Sequence, residues 1–118
     1  PWRAQVHLIL QPMTKLPVLR RWLAKNSFDW AEQVVSEGEK FYVVLDVRSA
    51  AAPQPLTLLE QEVGRIDWQE PCASAYASWK LKRFQKLAQQ LKQAGVPEYS
   101  LWESLAEETA AKLGRNPR

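Results

Sequence analysis

The side chains most often used for acid–base, nucleophilic or metal chemistry are scarce in this sequence. It contains one histidine, His7, and one cysteine, Cys72. A single copy of each cannot supply a multi-histidine or cysteine-cluster metal site, and no serine–histidine–acid arrangement is evident. His7 lies in a short apolar run typical of a strand, so we interpret it as a packed residue. The composition therefore favours a protein that binds and positions rather than one with a self-contained hydrolytic or metal centre.

Basic residues are the more informative chemical signal, because they are clustered. Residues 1–28 contain five basic groups and no acid, and residues 71–97 again contain five and none. Residues 29–70 contain nine acids and three bases. The net charge of the whole chain is therefore only +3, although two of its segments are strongly basic. Two acid-free basic segments predict an anion-binding face if the fold brings them together. Ordinary solvated helix faces are the alternative.

The second basic segment lies on a predicted long helix. Its cations are expected to project beside an apolar seam, in a row that can follow the phosphates of an RNA backbone. The predicted RNA-binding residues are Lys80, Lys82, Arg83, Lys86 and Lys92. The six tryptophans are expected to lie mainly in the core.

The elements that must position these residues begin with a strand and a helix. Val6–Leu10 is a continuous apolar run with β-branched members, which is typical of a strand covered on both faces. A helix of about Lys15–Lys25 follows, with Thr14 placed to cap it and Pro17 in its first turn.

A hairpin is predicted next, around Gly38. Glycine supplies the positive φ that a tight turn needs. The second arm, Phe41–Leu45, has no polar alternation, so it is expected to be an interior strand with neighbours on both sides. The linker-like stretch Ser49–Pro55 is the best candidate for a domain boundary.

Beyond the linker the pattern becomes helical. Thr57 and Glu60 form a T-x-x-E capping box for a short helix, and Pro71 can open a longer one reaching Ala94. Ser100 begins a second capping-box pattern for a last helix. The long helix has apolar residues at spacings of four and three: Ala77, Leu81, Phe84, Ala88 and Leu91. We expect an antiparallel helical hairpin packed along this seam.

The first half lacks parts that a freestanding nucleotide-binding unit needs. All four glycines are used by the hairpin turn or by helix ends, and none follows a strand to cradle a phosphate or a cofactor. A strand, a helix and a hairpin would also leave a doubly apolar strand with an uncovered face. We infer the closing part of a larger α/β sheet.

Several segments resemble the bacterial tRNA (adenine-22)-N1-methyltransferase family. They are "LILQP" at Leu8–Pro12, "LRRWL" at Leu19–Leu23, Asn26, "EGEKFY" at Glu37–Tyr42 and "LTLLEQEVG" at Leu56–Gly64. The long basic helix that follows continues the same order. Val43 departs from the pattern, because the family often has an acid there, and "DWQEP" at residues 67–71 departs as well.

The resemblance implies a fold class: α/β, the closing part of a Rossmann-like methyltransferase sheet (strand-helix-strand-strand), followed by an α-helical, coiled-coil-like hairpin. Residues 1–52 would be the C-terminal portion of the class I methyltransferase domain, and residues 53–118 the helical domain. The last strand would insert antiparallel between its two predecessors. Ligands of open α/β sheets bind beyond the carboxyl ends of strands. The substrate-binding residues expected at that end are Gln11, Pro12, Met13 and Thr14.

The function implied is that of a C-terminal fragment of an S-adenosylmethionine-dependent tRNA (adenine-N1)-methyltransferase. The helical part would contribute to tRNA binding. The cofactor would bind the parent protein and not this chain alone, which would be inactive by itself. The expected partners are tRNA and either the missing N-terminal part of the methyltransferase domain or a dimer partner. The sequence has no membrane-spanning run, and a cytoplasmic location is expected. One alternative is a non-enzymatic RNA- or protein-binding α/β plus helical-hairpin module, and another is a methyltransferase of the same fold that acts on a different substrate.

Overall fold

The computed structural model describes residues 7–10 and 15–114. The elements in chain order are β1 His7–Leu10, α1 Leu16–Lys25, β2 Phe28–Glu37, β3 Lys40–Ser49, α2 Leu58–Glu62, α3 Pro71–Gln93 and α4 Tyr99–Lys112. They form two compact units, the first ending at Asp67 and the second beginning at Trp68.

β3 is the central strand of the three-stranded sheet, whose order is β1-β3-β2. It pairs antiparallel with both neighbours, with Leu8 opposite Val47 on one side and Trp30 opposite Val47 on the other. The buried residues of β3, Val43, Leu45 and Val47, alternate along the strand. The prediction of an interior strand over Phe41–Leu45 is confirmed.

β2 and β3 are joined by the predicted tight turn at Gly38, whose φ is +62°. Along β2 the burial alternates, so that Trp30 and Val34 face the core while Ala31 and Gln33 are exposed. This period of two is the pattern of a strand with one covered face. β2 begins at Phe28, directly after the turn that follows α1.

α1 follows β1 and packs against β2 and α2, with Leu23 and Ala24 buried. Its N-cap is Lys15, in the left-handed region at φ +58°, and no side chain caps this end. Pro17 lies in the first turn as predicted, where its missing N–H costs little. The predicted cap, Thr14, lies outside the described residues.

α2 belongs to the same compact unit as the sheet. Its capping box is confirmed: the Glu60 amide donates to the Thr57 hydroxyl at 3.1 Å, and the Thr57 amide donates to the Glu60 carboxylate at 3.0 Å. The division after Asp67 falls later than the predicted boundary at residues 52 and 53. That boundary stays a prediction about domains of a longer protein.

The helical unit consists of α3 and α4, which pack as a hairpin. The predicted seam is largely confirmed, because Ala77, Leu81, Phe84 and Ala88 are buried. Leu105, Ala106 and Thr109 are buried on α4, and the rings of Phe84 and Trp102 lie 5.9 Å apart.

The helix starts differ in part from the sequence prediction. α3 begins at Pro71, as predicted, but its N-cap is Glu70, whose carboxylate accepts from the amides of Cys72 (3.1 Å) and Ala73 (2.8 Å). At α4 the predicted Ser100 capping box is wrong. The N-cap is Glu98, without a side-chain bond, and the Ser100 hydroxyl donates to the Pro97 carbonyl instead.

Candidate nucleic-acid interface

Three of the predicted RNA-binding residues share one exposed face of α3. Lys82, Arg83 and Lys86 are exposed, and the helical spacings of three and four residues place them on neighbouring turns of the same side. No acid occurs anywhere in residues 71–97 to neutralise them from within the helix. The face therefore carries a local excess of positive charge.

Trp79 lies on this same face and was not predicted to do so. Its residue surface is 44% exposed, while Trp30 of the sheet is only 5% exposed. The Arg83 guanidinium lies over the indole, with its Cζ 4.8 Å from the ring centroid. The expectation that the tryptophans lie mainly in the core is therefore wrong for Trp79, and also for Trp22, which is 54% exposed. We call Trp79, Lys82, Arg83 and Lys86 the aromatic–basic face.

The other two predicted cations point elsewhere. Lys80 places its Nζ 5.6 Å from the ring centroid of Phe84, and Lys92 places its Nζ 5.5 Å from that of Tyr99. Phe84 is a buried residue of the seam, and Tyr99 is the first residue of α4. The structure brings together three of the five predicted cations and not the whole set.

A shallow groove of about 280 Å³ lies between the two helices of the hairpin. Its lining residues are Gln85, Ala88, Gln89, Lys92, Glu103 and Ala106. Its two charged residues, Lys92 and Glu103, have opposite signs, so the groove carries no net charge. It lacks the positive excess of the aromatic–basic face.

Arg20 of α1 and Glu32 of β2 form a buried ion pair in the sheet unit. Both the Arg20 and the Glu32 side chains are fully buried. Two further Arg20 N–H groups donate to carbonyls of the segment after α2, that of Gln61 at 2.9 Å and that of Val63 at 3.1 Å. Arg20 thereby ties α1 to β2 and to this segment, which explains why a charged residue is tolerated in the core.

Glu32 is the second centre of the same network. Its Oε2 accepts from the Trp30 indole N–H at 2.9 Å and from the Arg65 amide at 3.0 Å. The Arg65 guanidinium lies over the Trp30 ring, 3.9 Å from its centroid. Gly64 packs directly against the Glu32 carboxylate, so no side chain fits there. This network is structural, whereas the sequence shows Arg20 as one of the five cations of the basic segment 1–28 and as part of LRRWL.

The predicted substrate-binding residues, Gln11, Pro12, Met13 and Thr14, lie outside the described residues. Cys72 is half-buried in the first turn of α3. In residues 7–10 and 15–114, no three His, Cys, Asp or Glu side chains are close enough to hold a metal ion. No helix of the described part has both the length and the apolar character needed to cross a membrane.

The described glycines do not form a cofactor-binding loop. Gly38 lies in the hairpin turn, and Gly64 is enclosed by Glu32 and Arg20. Gly95 and Gly114 follow the ends of α3 and α4. None of the four lies in a loop that leads from a strand into a helix, which is where open α/β folds bind their ligands. The described glycines therefore supply no cofactor-binding loop, and the prediction that this chain alone does not bind S-adenosylmethionine stays a prediction.

Comparison with known proteins assigns the chain to a family. A model of the tRNA (adenine(22)-N(1))-methyltransferase family, TrmK, matches residues 3–110. The chain belongs to this family. Membership favours the methyltransferase hypothesis over the non-enzymatic module. No curated protein matches the chain.

Several solved structures resemble this chain in fold. A protein of the NADB-Rossmann superfamily from Streptococcus agalactiae matches 91% of the chain at 24% identity and a TM-score of 0.71. A Streptococcus pneumoniae protein provisionally named a tRNA (m1A22) methyltransferase matches 93% at 22% identity and a TM-score of 0.72. That protein in complex with S-adenosyl-L-methionine matches 91% at 25% identity and a TM-score of 0.59.

This chain spans about half the length of these structures: 47%, 50% and 47% of the respective chains. The predicted fold class is confirmed, as part of a Rossmann-like methyltransferase sheet followed by a helical hairpin. A coiled-coil character of that hairpin stays a prediction.

Proposed function

We propose that this chain is part of an S-adenosylmethionine-dependent tRNA (adenine-N1)-methyltransferase and that its helical unit holds the tRNA. The observation that carries the proposal is the exposed cationic row of Lys82, Arg83 and Lys86 on an acid-free helix. Because the chain belongs to a tRNA methyltransferase family, the polyanion that would bind this row is tRNA.

The physical basis is neutralisation of phosphates. A cation placed against an RNA phosphate releases a condensed counterion, so each contact adds affinity and makes that affinity fall with salt. Lys82, Arg83 and Lys86 span little more than one helical turn, about 6 Å at 1.5 Å per residue. Such a cluster fits a short stretch of backbone and reads shape and charge, with no need for base contacts.

The catalytic end of the enzyme would lie at the other unit. We place the substrate base beyond the carboxyl end of β1, at Gln11, Pro12, Met13 and Thr14, where an amide or hydroxyl can orient it. S-adenosylmethionine would be bound by residues outside those described, in the half of the related structures that this chain does not cover. The partners are therefore tRNA and either that methyltransferase half or a dimer partner, in the cytoplasm.

The test is tRNA binding by a charge-reversed chain. Lys82→Glu/Arg83→Glu/Lys86→Glu is expected to weaken binding of unmodified tRNA at least tenfold at low salt, since three attractive contacts become repulsive. The dissociation constant is measured in a filter or gel assay, and circular dichroism verifies that the helices persist.

A matched control separates position from net charge. Lys25→Glu/Lys40→Glu/Lys112→Glu changes the charge of the chain by the same amount at three exposed lysines that lie on other elements, α1, β3 and α4. It is expected to weaken binding much less. Equal losses in the two variants, or unchanged binding in the first, would contradict the proposed role of this row.

A further inference from the structure

We propose that Trp79 and Arg83 form a stacking site for an unpaired nucleobase of RNA, with Lys82 and Lys86 holding the phosphates beside it. The inference rests on the proposed function and deepens it, because it names the part of the RNA that the helical unit contacts. It predicts recognition of a loop or bulge and not of a continuous duplex.

The exposure of Trp79 is the first observation. α3 buries four of the five residues of its apolar seam, yet it leaves Trp79 44% exposed on a different side, among cations. Aromatic surface left in water next to positive charge is the composition of single-strand binding sites, in which bases stack on aromatic rings and arginine planes.

The indole is also held in place. One turn later along the helix, the Arg83 guanidinium lies 4.8 Å from its centroid. One turn earlier, the ring of Tyr76 lies 6.0 Å from it at an interplanar angle of 33°, and Tyr76 is only 4% exposed. A ring positioned by a buried neighbour and by a cation loses little conformational entropy when a base stacks on it.

The two lysines are placed for the flanking phosphates. Trp79 and Lys86 are seven positions apart, which is about 10 Å along the helix at 1.5 Å per residue, and Lys82 lies between them. A nucleotide stacked at Trp79 therefore has its own phosphate and a neighbouring one near these ammonium groups. Stacking tolerates every base because each has a π-face, so the ligand class is an unpaired ribonucleotide of any sequence.

The experiment compares two hairpin RNAs of equal length and equal phosphate number. One has an ordinary unpaired loop, and the other has abasic ribose at every loop position. Fluorescence anisotropy of the labelled RNAs gives dissociation constants for the 118-residue chain and for Trp79→Ala, Trp79→Phe and Leu101→Ala. Leu101 is the matched control, because it is an exposed apolar residue (47%) on α4 and far in sequence from the aromatic–basic face.

The unsubstituted chain is expected to bind the ordinary loop roughly 5- to 150-fold tighter than the abasic loop, the range for stacking of one base. Trp79→Ala should abolish this preference without changing affinity for the abasic RNA, whereas Trp79→Phe should keep most of it and Leu101→Ala all of it. A preference that survives Trp79→Ala, or an equal loss on both RNAs, would overturn the stacking site.

Failure of the proposed function gives a different pattern. If the charge-reversed triple variant loses affinity for both RNAs while Trp79→Ala changes nothing, the phosphate-binding role stands and the stacking site is overturned. If the unsubstituted chain binds neither RNA, the proposed function itself fails. A polyglutamate peptide that displaces the RNA as effectively as unlabelled RNA does would overturn the assignment in favour of an acidic protein partner.

Discussion

Arg20 and Glu32 form a two-point ion pair inside the sheet unit, with Nε to Oε2 at 3.0 Å and Nη2 to Oε1 at 2.8 Å. Neither side chain has surface in contact with water. Because Arg20 also donates to two carbonyls and Glu32 accepts from two further N–H groups, each charge is compensated by several partners. The stability of this unit consequently depends on keeping both members.

Loss of one partner is expected to be severe. Arg20→Met should lower the free energy of unfolding of the sheet unit by about 3–5 kcal/mol, because the Glu32 carboxylate stays buried without its counter-charge. Urea unfolding followed by tryptophan fluorescence measures the change. Arg48→Ala is the control, since Arg48 lies on the surface at 3.9 Å from Asp46, and we expect a change within about 0.5 kcal/mol.

The double variant Arg20→Met/Glu32→Leu distinguishes charge from packing. Removing both charges together should recover a large part of the stability lost in Arg20→Met, because no uncompensated ion remains. A double variant as unstable as the single one would mean that the guanidinium contributes mainly through its bonds to the Gln61 and Val63 carbonyls.

Gly64→Ala tests the packing around the same network. A Cβ at this position would approach the Glu32 carboxylate and lie 2.7 Å from Arg20 Nη2, and the backbone φ is +117°. We expect a loss of about 2–5 kcal/mol from backbone strain and overpacking together. Gly95→Ala has a φ of +74° and open space around the added carbon. It should cost only about 1–2 kcal/mol, and equal costs for the two variants would contradict the packing argument.

Glu70→Ala should destabilise the helical unit. The Glu70 carboxylate caps two amides at the start of α3, and removal of such a cap costs about 0.5–2 kcal/mol. The midpoint of thermal unfolding, followed by circular dichroism at a helical wavelength, measures the loss. The matched variant is Glu98→Ala at the start of α4, where no side-chain cap is made. It should shift the midpoint much less, and a comparable shift would remove the cap as the cause.

Salt dependence provides a count of phosphate contacts. If Lys82, Arg83 and Lys86 each neutralise one phosphate, replacing all three by Gln should reduce the slope of log K against log salt concentration by about 2–3. tRNA binding measured over a series of salt concentrations gives the slope. Lys112→Gln on α4 should leave it unchanged, and an unchanged slope in the triple variant would show that the three cations do not contact phosphates.

Much of the architecture was predictable because it follows from local patterns. The apolar run Phe41–Leu45 indicated a strand with two neighbours, and β3 is that strand. The Thr57–Glu60 capping box and the start of α3 at Pro71 depend on residues within one turn of each other, so short-range spacing was enough to find them.

The features that sequence reasoning missed depend on distant partners. In the sequence Arg20 is one cation of a basic segment. Its ion-pair partner, Glu32, lies twelve residues away on another element, so local spacing does not reveal the pair. Trp79 appeared to be a core residue by composition. Its position relative to the buried residues Ala77 and Leu81, two before and two after, was the available signal, because side chains two apart on a helix do not share a face.

The strand order has a consequence for synthesis of the protein. β3 leaves the ribosome after both of its neighbours, and β1 and β2 make no ladder with each other within the described sheet. When only the residues up to 39 have emerged from the ribosome, β1 and β2 therefore lack their common partner. Both strands can form their hydrogen bonds only after β3 has emerged. A translational pause while Lys40–Ser49 is still inside the ribosome exit tunnel would prolong the exposure of these edges, which favours aggregation during biogenesis of the sheet.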